Sequence, residues 1–297
     1  MLAFAATLAA AGLCAVACQV ERATRPDRRL PTLGPAEVRI DVEKVAFQST
    51  DGVRLHAWLF PAFAGSVAPV LLVHDVGSSK ASVLSLALRL QDEGFEVLAL
   101  DLRAHGESEG RRSTYGLHEK RDVVGAFDFL SARRGQSQSR VGAYGAGAGA
   151  HAVVLAATER PGIRVLVLDG LYPDAAYPLA RAVFRDWDWG VAHLRGVPGG
   201  MLAALSGMHG EGARASGVMA RLVGRDMLLL APQNDVGLAG EIRAMLEDVP
   251  EQADSDGNMV MVPASQAQGL YGDDLRLHHE RVVSFFVDRL RPGKTPT

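Results

Sequence analysis

Cysteine is almost missing from this chain of 297 residues: there are two, Cys14 and Cys18, and both fall in one N-terminal apolar stretch. The rest of the chain therefore has no thiol to form a disulfide, bind a metal or act as a nucleophile. Aromatic residues are sparse at 6%, no basic tract is interleaved with them, and the formal net charge is -3. That balance argues against nucleic acid as the main partner. No His or Cys cluster has metal-ligand spacing, and no Gly-x-Gly-x-x-Gly is followed about 20 residues on by a ribose-binding acid. Neither a metal nor any other cofactor is expected. Internal repeats are absent, and the only compositional bias is toward alanine and glycine.

Charge is also missing from Met1 to Val20. A helix of roughly 20 residues at 1.5 Å each matches the roughly 30 Å hydrocarbon core of a bilayer, so this segment reads as a membrane anchor or a secretory signal. A signal peptide opens with Lys or Arg, whereas here Arg22, Arg25, Arg28 and Arg29 follow the apolar run. The asymmetry favours an uncleaved anchor with the domain on the cytoplasmic side. The alternative is a lipoprotein held outside the inner membrane, because Ala15-Val16-Ala17-Cys18 loosely resembles a bacterial lipobox in which Cys18 is acylated. A helix buried in the domain is the least favoured reading, since Arg- and Pro-containing sequence (Glu21 to Pro35) separates the segment from the first strand. The expected layout is an anchor or signal at 1–20, a linker at 21–40, one domain at 41–292 and a tail at 293–297.

What is present after residue 40 is a regular alternation. Val42 to Gln48 and Val53 to Phe60 flank the turn dipeptide Asp51-Gly52 and predict an antiparallel hairpin at a sheet edge. Strands are then predicted at Val70 to Val73, Phe95 to Leu100, Val141 to Tyr144, Ile163 to Leu168, Met227 to Leu230 and Met259 to Val262. Helices are predicted from about Lys80 to Glu93, Gly116 to Arg133, Ala148 to Glu159, Leu238 to Glu247 and Leu277 to Leu290. Apolar strands interleaved with helices imply an α/β fold, an eight-stranded mostly parallel sheet covered on both faces. Between Gly170 and Gly224 the pattern gives way to Trp-, Pro- and Gly-rich sequence, read as a small lid at about 171–224.

The stretch on which function turns is Arg140 to His151, RVGAYGAGAGAH, a strand, a sharp glycine turn and an Ala-rich helix. Two other segments stand beside it: Leu72-Val73-His74-Asp75-Val76-Gly77-Ser78-Ser79, and Asp101-Leu102-Arg103-Ala104-His105-Gly106-Glu107-Ser108. Together with the strand, loop and helix from Asp226 to Leu290, they resemble the α/β-hydrolase superfamily, in particular bacterial serine hydrolases of the serine-aminopeptidase and dienelactone-hydrolase kind. The resemblance covers about residues 40 to 292. It implies an oxyanion loop at His74, Asp75 and Val76, completed by Ala148, and a loop organised by Asp101, Arg103, His105 and Ser108.

The resemblance also fixes where a triad would stand. The nucleophile elbow Gly-x-Ser-x-Gly is matched by Gly145-Ala146-Gly147-Ala148-Gly149, with glycine where the serine belongs. Gly147 supplies no oxygen or sulfur to activate. The acid position is Asp235, which as a bare residue reads equally as an N-cap of the following helix. The histidine position falls in Ala267-Gln268-Gly269-Leu270-Tyr271 and holds Ala267. His278 and His279 are expected on the solvent face of the last helix, His151 in the core, and Asp169 as a cap of the turn at Gly170. Asp75 stands where relatives have glycine, and a carboxylate there repels a developing oxyanion.

The function implied is a catalytically degenerate, membrane-tethered hydrolase fold, a pseudoenzyme binding a small apolar or ester-like ligand or a partner through the former pocket. The alternative is an active esterase, amidase or lactonase with relocated groups, for which Ser78, Ser79 or Ser265 would have to reach His278 or His279. A third is a structural module, with Trp187 and Trp189 as a contact patch.

Overall fold

The computed structural model describes residues 14–28, 40, 42–62, 68–135, 140–184, 215–247, 259–265 and 269–291. Strands β1 (Glu43–Gln48) and β2 (Arg54–Phe60) form the expected hairpin. Ser49 closes it by accepting from Val53 N (2.9 Å) and donating to Asp51 (2.7 Å). Six further strands follow: β3 (Val70–Val73), β4 (Val97–Leu100), β5 (Val141–Ala146), β6 (Ile163–Asp169), β7 (Asp226–Pro232) and β8 (Met259–Val262). They build one eight-stranded sheet in the order β1-β2-β4-β3-β5-β6-β7-β8. All pairings are parallel except β1 with β2 and β2 with β4.

Helix α1 covers residues 14–24, and a 3₁₀ turn (Lys80–Val83) leads into α2 (Leu84–Asp92). They are followed by α3 (Lys120–Arg133), α4 (Ala148–Glu159), α5 (Ala176–Phe184), α6 (Ala215–Met219), α7 (Val236–Glu247) and α8 (Gly272–Leu290). Alternation along each strand sends side chains to opposite faces. Leu71 and Val73 join the core under α3, α4, α6 and α7, while Val70 and Leu72 join the core under α2 and α8. The centre of the sheet is thus buried on both faces, which is why β3 and β4 read as unbroken apolar runs.

The starts of α3 and α8 differ from those predicted. α3 begins at Lys120 because Tyr115 and Gly116 have φ of 52° and 106°, and the Glu119 carboxylate takes the N–H of both Thr114 (2.8 Å) and Gly116 (2.9 Å). α8 begins at Gly272, five positions before Leu277, with Asp273 and Asp274 in the first turn where the helix dipole favours acids. His278 and His279 are consequently well inside the helix, and both are buried rather than solvent-facing. The reason is periodicity: His278, Val282, Phe286 and Leu290 recur every four residues along the face that meets the sheet.

The lid region contributes α5 and α6, while Trp187 and Trp189 lie outside the described residues. Among the described residues no helix is long and apolar enough to cross a membrane. Residues 14–24 rest on the domain through Val16 and Val20, and residues 21–28 run along the loop at 110–115.

Candidate functional site

The corner between β5 and α4 forms because three glycines remove the side chains that would obstruct it. A Cβ on Gly145 would lie 2.6 Å from Ala150 Cα, and one on Gly149 would lie 2.5 Å from His74 O. Gly147, at the tip, has φ 51° and ψ −113°, a region that strains any residue with a Cβ by about 1–3 kcal/mol. Its N–H bonds to Asp169 O at 2.9 Å, which ties the corner to the end of β6.

Facing the tip is Asp75, on the loop after β3. Its Oδ1 accepts from Val76 N and from Ala148 N, each at 2.7 Å, and its Oδ2 accepts from the Tyr172 hydroxyl at 3.1 Å. Val76 and Ala148 are the residues at which the resemblance would place the donors to an oxyanion. Here they converge on the protein's own carboxylate. The same carboxylate fills the space beside the tip: a Cβ on Gly147 would lie 2.2 Å from Asp75 Oδ1 and 2.3 Å from its Cγ. Burial raises the Asp75 carboxyl to about 6, against the opposing pull of the two N–H groups and Tyr172 and with the nearby negative charge of Asp169.

The residues behind Asp75 hold its loop. His74 donates from Nδ1 to Asp75 O (2.7 Å) and accepts at Nε2 from Leu102 N (3.1 Å), a pattern that requires the neutral ring. Burial brings its pKa down to about 4. His105 repeats the arrangement, donating to Arg103 O (2.8 Å) and accepting from Gly77 N (3.0 Å), and burial lowers its pKa too. Asp101 receives Lys80 N (2.7 Å) and Glu107 N (2.9 Å) and pairs with the buried Lys80 ammonium. Ser108 donates to Asp101 O (2.6 Å) and accepts from His56 N (2.9 Å). Arg103 forks between Asp51 and Asp122, and its guanidinium is held charged by both. Each of these polar atoms is spent on a neighbouring segment of the protein, including β2, the 3₁₀ turn and α3.

Asp235 lies in the turn between β7 and α7. It accepts from Leu238 N at 3.0 Å, capping α7, and pairs with Arg181 of α5 at 2.5 Å. Ala267 lies outside the described residues. His151 is fully buried and its Nδ1 meets Tyr115 O at 3.0 Å. Ser79 is buried at the start of the 3₁₀ turn, and Ser265 is buried with its Cβ 3.2 Å from where a side chain on Gly170 would begin.

Asp169 departs from the expected turn cap. The N–H of Gly170 goes to Leu230 O (2.9 Å), and the Asp169 carboxylate instead accepts from Tyr144 Oη at 2.8 Å and meets His278 Nε2 at 3.0 Å. The side chains of Asp169 and His278 have 0% exposure, so this acid–histidine pair is sealed between the sheet and α8. Sequence reasoning missed Tyr144, Tyr172 and Lys80 as polar partners. The four-residue recurrence from His278 to Leu290 was a usable signal for the histidine, whereas nothing local marks Tyr172 as the partner of a residue 97 positions away.

Residues 65–187 match the family model of serine aminopeptidases of the S33 group. The chain is 32% identical over 136 residues to an uncharacterised Mycobacterium tuberculosis protein, a match covering 44% of this chain and 48% of that protein. It is 30% identical over 141 residues to the α/β-hydrolase domain-containing protein WAV2 of Arabidopsis thaliana, covering 46% and 45%. The chain thus spans about half the length of these relatives. Among solved structures, a Pyrococcus furiosus esterase superposes with a TM-score of 0.68 at 20% identity over 90% of this chain and 98% of that one. Dienelactone hydrolase from Anabaena variabilis gives 0.56 at 20% identity over 84% and 99%. The sheet order and these superpositions are those of the α/β-hydrolase fold.

Proposed function

We propose that this chain, built on the α/β-hydrolase fold, is a catalytically silent protein, membrane-associated through its N-terminal segment, that holds a small apolar ligand in the former pocket. One observation carries the reading: the Asp75 carboxylate takes both N–H groups at the corner and overlaps the space a side chain at position 147 would need. Acyl transfer needs a nucleophile at the corner and donors free to receive the oxygen of the tetrahedral intermediate. Gly147 provides no nucleophile, and a carboxylate already neutralises the donors.

The apolar preference follows from what surrounds the corner. Ala148, Leu179 and Val183 are buried there beside Tyr115, and a fixed negative charge in the anion position disfavours acids as ligands. A relocated active site is less well supported, because Asp169 and His278 have no exposed surface through which an ester would reach them.

The test is hydrolysis of short-chain p-nitrophenyl esters together with labelling by a fluorophosphonate probe. The parent chain is expected to be inert in both. Gly147→Ser with Ala267→His is expected to stay inert, because Asp75 still fills the corner, and adding Asp75→Gly is expected to give turnover. Turnover and labelling by the parent chain would overturn the proposal, and the labelled residue would identify the nucleophile.

A further inference from the structure

Helix α1 packs against the apolar residues beside the corner. Val16, Val20 and Thr24 recur every four residues and form its buried face. Val16 and Val20 pack with Tyr115, Ala148, Ala175, Leu179 and Val183. Ala148 is the residue whose N–H holds Asp75, so the helix packs directly beside the corner. Cys14 and Cys18 are on the exposed side.

The chain just after the apolar part is fastened by polar contacts at the domain surface. Tyr115 Oη donates to Ala23 O (2.8 Å), Ser113 N to Thr24 O (2.8 Å), and Arg28 to Gly110 O (2.6 Å), while Arg112 pairs with Glu21 at 2.5 Å. None of these four involves residues 14–20. Among the described residues, 14–20 make no polar contact with the domain, and side-chain burial holds them there.

Those same residues close the uncharged run that ends at Glu21 and Arg22. A helix that enters a bilayer from this run carries Val16 into or beside the hydrocarbon, since the charges after Val20 mark the interface. Valine burial is favourable in a protein groove and in hydrocarbon alike, but Val16 and Val20 cannot occupy both at once. A ligand that binds only one of two states shifts the balance toward that state.

We propose that residues 14–20 are a cover over the cleft that a lipid bilayer competes away, so that the cleft opens on a membrane and stays shut off it. The fastening at residues 21–28 keeps the released segment at the mouth. The proposal rests on the membrane association proposed above and does not depend on whether the site is catalytically silent.

The test is a spin-label distance in the full-length chain. Cys18, already exposed, carries one label in a Cys14→Ser background, and Asp273→Cys at the exposed start of α8 carries the other. Without lipid a single distance is expected. Binding to vesicles of equimolar phosphatidylcholine and phosphatidylglycerol is expected to shift it by more than one helical turn, about 5 Å. Adding Val16→Asp and Val20→Asp is expected to broaden the distance distribution without any lipid. An unchanged distance in vesicle-bound protein, or a sharp distance in the Asp variants, overturns the cover. Failure to float with vesicles overturns both the cover and the membrane association, whereas ester turnover by the parent chain bears only on catalytic silence.

Discussion

Asp75 and Gly147 share one space: a Cβ on Gly147 would lie 2.2 Å from Asp75 Oδ1 and 2.5 Å from its Oδ2. The glycine and the carboxylate are therefore mutually dependent, and the vacancy of the nucleophile position is a packing relationship as well as a missing oxygen.

The dependence is measurable as a thermodynamic cycle. Gly147→Ala should destabilise the protein by more than the about 1–3 kcal/mol of backbone strain alone, because Asp75 must also move. In an Asp75→Gly background the same substitution should cost less, giving a coupling of about 0.5–3 kcal/mol in urea unfolding. Additive costs would show that the carboxylate yields freely.

Asp75 also predicts a pH dependence. The unfolded carboxyl titrates near 3.8 and the folded one near about 6, so between these values the folded state binds more protons. The contribution of this group to stability falls as pH rises through that window and stays low above it. Asp75→Asn keeps an oxygen for Val76 N and Ala148 N but carries no charge. Its urea midpoint relative to the parent should rise between about pH 4 and about pH 7; a constant difference would contradict the direction.

Tyr144→Phe should cost about 1–3 kcal/mol, the penalty of removing a partner from a buried acceptor, because the hydroxyl donates to the buried Asp169 at 2.8 Å. The comparison is the thermal midpoint of the variant against Tyr172→Phe, whose 3.1 Å bond to Asp75 is longer and should cost less.

Arg103→Lys should destabilise although the charge is kept. The guanidinium bonds Asp122 Oδ1 at 2.7 Å and Asp51 Oδ1 at 2.7 Å through one planar fork, and an ammonium cannot span both. Arg103→Met should cost more, about 3–5 kcal/mol, since it leaves Asp122 buried and unpaired by a cation. Equal urea midpoints for the two variants would refute this ranking.

The layers of the fold were legible because they depend on local pattern. Val70–Val73, Val97–Leu100 and Val141–Tyr144 are apolar runs between helical segments, and a parallel sheet covered on both faces is their only economical burial. The corner at Gly145, Gly147 and Gly149 was legible for a similar reason, since glycine at alternate positions marks a close approach of backbone. Helix starts were less so. α3 waits for Lys120 because of one carboxylate, Glu119, and α8 starts early at Gly272 because acids in the first turn outweigh the glycine.

The sequence by itself determined that position 147 has no nucleophilic atom and that a carboxylate stands in the loop after β3, since both are matters of residue identity. Only the tertiary structure decided that this carboxylate sits in the corner, that His278 is sealed against Asp169, and that Val16 and Val20 pack beside the corner. Each joins segments more than 70 residues apart. Such contacts are set by how strands order in the sheet and helices settle on its faces, and no local periodicity encodes which side chains then meet.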